Sequence, residues 1–222
     1  MKIDLHVHTS EISSCGEMTA KEMVTLYKKA GYDAICITNH FNSSTARWLA
    51  RRGKLDFVKA FDEGFELARS EGERIGLRVF KGYEFRCDQY YNDYLTYYIP
   101  QHLLDRIHEI FAYPMTTALS ILRSNGVRLY QAHPFRSSIT VVDPSLIDGI
   151  EVFNGANGKG EINDMAMIWA NAHPHLRHIS GSDAHNTDEA LTSSIETDED
   201  IRTQEDLLRL LDSGNYKLIL PS

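Results

Sequence analysis

The chain has 222 residues, 42% hydrophobic and 24% charged, which allows a full buried core and excludes disordered, collagen-like and low-complexity classes. A net charge of −8 disfavours broad nucleic-acid binding, which needs a basic surface, yet leaves a small anionic substrate open because local metal ions can reverse the sign. No apolar run approaches the roughly 20 residues that span a bilayer. The N-terminus lacks a signal-peptide pattern, and the three cysteines (Cys15, Cys36, Cys87) show no paired spacing, so a reducing cytoplasm is expected.

In chain order, residues 3–8 alternate as a half-buried strand, with Ile3, Leu5 and Val7 facing one way and Asp4, His6 and His8 the other. Thr19 and Glu22 form a capping-box start, a helical stripe runs from Met23 to Ala30, and Gly31 stops it. Residues 33–38 read as a buried strand, and 55–71 as a helix ending near Gly72. Strands follow at 77–86 and 94–99, separated by the turn-like stretch Asp88 to Asp93. Helices at 102–111 and 116–124 are broken at Pro114, and Asn125-Gly126 ends the second. A strand at 127–132, a turn at Asp143-Pro144 and a strand at 149–153 come next. The pattern closes with a helix near 161–172, a strand at 177–181 and a helix near 204–213 capped by Thr203. Strands separated by helices predict one α/β domain over residues 1–222 with mostly parallel pairing.

The ten histidines do not scatter evenly. Residues able to bind metal recur at the carboxyl ends of successive predicted strands: His6 and His8, His40, Glu84, His133, then Asp183 and His185. In a parallel barrel those ends share one rim, where active sites sit. His6 and His8 stand two residues apart and so share a strand face. Pro134 is expected to hold His133 extended, and Gly181 to permit a sharp turn before Asp183. Imidazoles with a few carboxylates suit zinc, manganese or iron rather than calcium. Such ions clamp a phosphoryl group and lower the pKa of bound water to about 7.

Other residues have plainer readings. Glu151 and Asn154 stand equally as supports of the ligands or as loop residues, and Arg136 as a phosphate contact or a surface ion pair. His102 and His108 read as surface histidines, and His173, His175 and His178 lie on the wrong rim. The aromatics from Tyr83 to Tyr98 read as core, with Tyr90 and Tyr91 kept as substrate contacts. Cys15 reads as an unreactive loop residue, with a soft ligand or a redox-sensitive thiol as the alternative, and Cys36 reads as packing.

The stretches DLHVHTSEISSCGEMT (4–19), GYDAICITNH (31–40), GYEF (82–85), AHPFR (132–136), DGIEVFN (148–154) and GSDAH (181–185) resemble the PHP (polymerase and histidinol phosphatase) family of metal-dependent phosphoesterases, in the family's order. The resemblance implies a distorted (β/α)7 barrel, of about seven strands, with its metal site at the carboxyl rim. It implies His6, His8, His40, Glu84, His133, Asp183 and His185 as ligands of two divalent ions (zinc, manganese or iron), with a third left open. It further implies that Arg136 contacts substrate phosphate, as a guanidinium fork suits. Asp183 or His185 would assist proton transfer. The chain departs from the family at Asn39, where an aspartate is usual, at Ser13-Ser14-Cys15, and at Asp93-Tyr94-Leu95, where a ligand histidine is common. Hydrolysis of a small phosphate ester is therefore expected. An amidohydrolase, with Lys81 near the comparable bridging position, and a non-catalytic metal-binding module are the alternatives.

Overall fold

The first strand, β1 (Lys2–Val7), is buried on both faces. The sequence alternation predicts a half-buried strand with strict sides, and the computed structural model, which describes residues 1–221, differs in both respects. The pairing of β1 with the next strand shifts register between Asp4 and Val7. Such a bulge sets two residues against one and re-aims the side chains beyond it. Ile3 and Leu5 therefore join one apolar cluster and Val7 another, packed with α1 (Ala20–Lys29). Asp4 also faces α1, accepting from the Tyr27 hydroxyl at 2.6 Å.

α1 starts at the expected capping box, with Thr19 accepting from the Glu22 amide. β2 (Ala34–Ile37) and β3 (His40–Phe41) follow, then α2 (Ser43–Ala50), capped by Asn42. α3 (Phe57–Ile75) runs past the expected stop at Gly72 and ends at Gly76, whose φ is 77°. Gly72 is there for space: a Cβ would lie 2.5 Å from the Leu77 carbonyl oxygen.

The expected strand 77–86 is two strands, β4 (Arg78–Lys81) and β5 (Tyr83–Arg86), broken at Gly82. Next come β6 (Asp93–Thr96), α4 (Gln101–Leu104), α5 (Ile107–Ala112), α6 (Met115–Ser124) and β7 (Tyr130–Gln131). The chain ends with β8 (Gly149–Asn154), α7 (Glu161–Asn171), β9 (Arg177–Gly181), β10 (Ser194–Glu196), α8 (Gln204–Ser213) and β11 (Lys217–Ile219).

Among the described residues the strands form two sheets, ordered β11-β10-β1-β2-β4 and β3-β5-β6-β7-β8-β9. The expected α/β architecture is present, but the distorted (β/α)7 barrel is not confirmed, because among the described residues the two sheets do not close into one barrel. The chain crosses between the sheets four times, from β2 to β3, β3 to β4, β4 to β5 and β9 to β10, and the crossing from β4 to β5 needs Gly82, where a Cβ would stand 2.6 Å from Thr38. On the opposite seam β1 and β9 are not paired; the turn after β9 meets β1 through a bridge between Val7 and Ala184 and the Asp183 amide donating to the His6 carbonyl oxygen at 2.8 Å. Pairing is parallel along β1-β2-β4, β3-β5 and β7-β8-β9, but β6 and β10 run antiparallel to both their neighbours. No helix among the described residues is long and apolar enough to cross a membrane.

Candidate metal centre

The expected ligands converge where the two sheets meet. His6 Nε2 lies 3.0 Å from His8 Nε2, 3.3 Å from Asp183 Oδ1 and 3.5 Å from Glu84 Oε1. His8 Nε2 is 3.1 Å from Asp183 Oδ1 and 3.6 Å from Glu84 Oε2. Glu84 Oε1 is also 2.9 Å from His133 Nε2, and its Oε2 faces His40 Nδ1. The two oxygens of one carboxylate thus meet four imidazoles carried by three separate segments. His40 reaches this point because β3 pairs in parallel with β5, setting His40 opposite Glu84.

Three overlapping groups of side chains have donor atoms close enough to hold a metal ion: His6, His8, Glu84 and Asp183; His8, His40 and His185; and Glu84, Asp93 and His133. The third group brings in Asp93, which the sequence reading passed over in favour of strand carboxyl ends. Because β6 runs antiparallel, its first residue sits on the rim where its parallel neighbours end. The Arg86 guanidinium holds Asp93 there.

A second set of side chains holds the first. Glu151 Oε1 accepts from His6 Nδ1 at 2.9 Å, and its Oε2 accepts from the His133 amide at 2.9 Å. Asn154 Nδ2 donates to Glu151 Oε2 and to Asp183 Oδ2, so both residues are supports rather than loop residues. The Ser13 hydroxyl bonds His8 Nδ1 at 3.0 Å and Asn39 Oδ1 at 2.8 Å. Asn39 accepts from the Thr9 amide as well, so it orients the loop after β1 without adding charge. Asp4 accepts from the Ser182 amide at 3.0 Å and so anchors the turn that presents Asp183. Burial lifts the Asp4 carboxyl to about 6, against hydrogen bonds from Ser182 and Tyr27.

Backbone strain gathers at the same place. Asp183 has φ of 55° and His133 has φ of 32°. The latter overturns the expectation that Pro134 keeps His133 extended. Its amide is pinned by Glu151 and its ring by Glu84, and tertiary contacts of this kind override a local preference.

The electrostatics fit a cation. Asp183 Oδ1 and Glu84 Oε2 are buried without a hydrogen-bond partner, as are the Nδ1 atoms of His40 and His133. Burial opposes charge on Glu84, but His40, His133 and His6 hold it well below the usual carboxylate range. Burial also opposes protonation of His6, yet Asp183 and Glu151 carry it well above its ordinary value. Burial and the neighbouring His185 and His40 push His8 the other way, well below. Packed imidazoles cannot all carry protons. Divalent ions would satisfy the unpartnered oxygens and the neutral nitrogens together.

Arg136 lies beside this centre, not on a separate surface. It donates to Asp183 Oδ2 at 2.8 Å, Asn154 Oδ1 at 3.1 Å and Asn157 Oδ1 at 3.0 Å, using Nε and Nη2. Its Nη1 has no protein partner among the described residues.

A sequence profile of the PHP domain matches residues 4–208. The chain belongs to the PHP family. The solved structures it resembles include a two-domain Bacteroides vulgatus protein containing a predicted PHP-like metal-dependent phosphoesterase, at TM-score 0.68 and 19% identity over 99% of this chain and 64% of that one. The chain therefore spans less than two thirds of that protein. PsfC from Pseudomonas syringae matches at TM-score 0.67 and 20% identity, over 100% of this chain and 91% of that one. An amidohydrolase from Chromobacterium violaceum with bound sulfate and no metal matches at TM-score 0.53 and 16% identity, over 100% and 99%. These likenesses are of fold. No curated protein matches the sequence.

The remaining expectations sort by position. His102 is exposed and bonds the Asn125 side chain, and His173 bonds the Trp169 carbonyl, so neither joins the PHP-type centre. Tyr83, Phe85, Tyr94 and Tyr97 are core. Tyr90 and Tyr91 line a small cavity of about 230 Å³ with Asn42, Arg47 and Arg86. A cavity of about 990 Å³ between α3 and the α4–α5 pair shares no residue with the centre.

Proposed function

We propose that this PHP protein is a metal-dependent phosphoesterase acting on a small phosphate ester of the nucleotide, sugar phosphate or amino-alcohol phosphate type. The observation that carries the reading is the Glu84 carboxylate shared among four imidazoles, with the Arg136 guanidinium two contacts away through Asp183. His6, His8, His40, Glu84, His133, Asp183 and His185 are the residues proposed to hold the ions, two at least, and residues 1–222 are read as one unit because these ligands span from β1 to the loop after β9. Bound divalent ions would supply Lewis-acid stabilisation of phosphoryl charge and a more acidic water.

The protein groups do the positioning. Arg136 is fixed by three acceptors and keeps Nη1 to meet a phosphate oxygen, the planar contact a guanidinium makes well. Its charge offsets what develops on the phosphoryl oxygens. Asp183 has Oδ2 tied by Arg136 and Asn154, which leaves Oδ1 facing the His6 and His8 nitrogens where an ion would sit, and Asp183 or His185 is the group proposed to assist proton transfer.

The amidohydrolase reading loses its bridging lysine. Lys81 Nζ pairs with Asp62 on α3 at 2.5 Å and lies over the Tyr83 ring, neither of which belongs to the centre. Purified protein supplied with Mn²⁺ or Zn²⁺ is expected to release phosphate from members of a phosphoester panel, and a chelator to stop it. Metal bound with no release from any ester would favour the non-catalytic module. Release from cyclic amides alone would restore the amidohydrolase.

A further inference from the structure

Cys15 is not an idle loop residue. Its Sγ lies 3.2 Å from His40 Nε2. His40 thus turns one ring nitrogen to Glu84 and the other to sulfur. The rings of His8, His40 and His185 cluster beneath it, with His8 centroids 4.6 Å and 4.2 Å from the other two.

Two further observations point to an ion there. His8 has Nδ1 engaged by the Ser13 hydroxyl and His185 has Nδ1 engaged by the Asp183 carbonyl at 2.8 Å, leaving Nε2 on each ring. This is how metal-binding imidazoles are usually oriented from behind. The buried, unpartnered Asp183 Oδ1 is aimed into the same space, 3.1 Å from His8 Nε2 and 3.6 Å from His185 Nδ1.

We propose that Cys15 is a thiolate ligand, completing with His8, His40 and His185 a site of three nitrogens and one sulfur that selects zinc or another thiophilic ion over manganese or magnesium. The proposal rests on the metal reading above but not on the phosphoesterase assignment. A thiolate is soft and favours such ions, whereas a carboxylate in its place would suit the harder ones. Binding releases the thiol proton to solvent.

Cobalt(II) added to metal-free protein tests this without any assay of turnover. The native chain is expected to develop a near-ultraviolet sulfur-to-cobalt charge-transfer band alongside visible ligand-field bands. Cys15→Ser should lose the former, keep the latter from the remaining ligands, and show unchanged far-ultraviolet circular dichroism. Its zinc affinity should fall by at least the roughly 10–100-fold that loss of an orienting partner alone costs, with manganese affinity little changed. Alkylation gives a second readout on the native chain. Cys36 and Cys87 are buried and Cys15 is exposed, so one thiol should react in metal-free protein and zinc should protect it. A cobalt-saturated native protein without the charge-transfer band, a band that persists in Cys15→Ser, or a thiol that zinc leaves reactive would each overturn the proposal, whether or not the protein proves to be a phosphoesterase.

Discussion

On three neighbouring strands one backbone serves two different interiors a single residue apart. β3 places His40 in the candidate metal centre and Phe41 in the aromatic core; β5 does the same with Glu84 and Phe85, and β6 with Asp93 and Tyr94. All but His40 are fully or almost fully buried. Strand alternation sends them to opposite faces. On one face Phe41 packs edge-on against Phe61, Tyr83 and Phe111 at ring separations of 4.8, 4.8 and 5.6 Å, a region that gains from burial itself. On the other face burial strips water from carboxylates and imidazoles that crowd against one another, with Arg86 and Arg136 at their margin. That face stores unmet electrostatic demand, and the aromatic face supplies the stability that lets it persist.

The largest expected effect strikes the aromatic side. Phe111, on α5, packs against Phe41, Phe57 and Phe85. Phe111→Ala should cost about 3–5 kcal/mol of stability, read as a lower denaturation midpoint, with metal content per folded chain unchanged. Arg136→Ala attacks the other side and should show the reverse: kcat lower by about 10²–10³-fold, as for loss of one donor to a developing anion, with the midpoint little moved. Equal loss of stability in that variant would mean that Arg136 is structural. Asn154→Ala should weaken metal binding or turnover by about 10–100-fold, measured by competition with a chelating dye, because Glu151 and Asp183 then lose their shared donor. Arg74→Ala removes an exposed helical ion pair with Glu71 and should change neither midpoint nor metal content.

The metal-side residues were legible because they fall at strand ends in a recurring rhythm, and the helices because of their caps and stripes. Asp93 escaped because a strand's direction is not written in its own residues: only pairing with β5 and β7 shows that β6 runs backwards. Ser13 escaped, and Cys15 reads first as an unreactive loop residue with a soft ligand only as the alternative, because a loop has no period from which to project a position; both are placed by contacts with residues some 25 positions away, Asn39 and His40. α2 lacks the long stripe that marks α3, and β10 and β11 are three-residue segments too short to show alternation. The bulge in β1 re-sorts Asp4 and Val7 although every residue keeps its apparent phase. Closure fails because Gly82 and the turn at Thr38-Asn39 pass the chain from one sheet to the other, a property of the backbone path.

The central claim is that the buried histidines and carboxylates form a metal centre. Elemental analysis of protein purified without chelator or affinity-tag metal tests it most directly, beside the His8→Ala variant. Two or more transition-metal ions per chain, lost together in the variant, are predicted. Less than one ion per chain, unchanged by His8→Ala, would contradict the account.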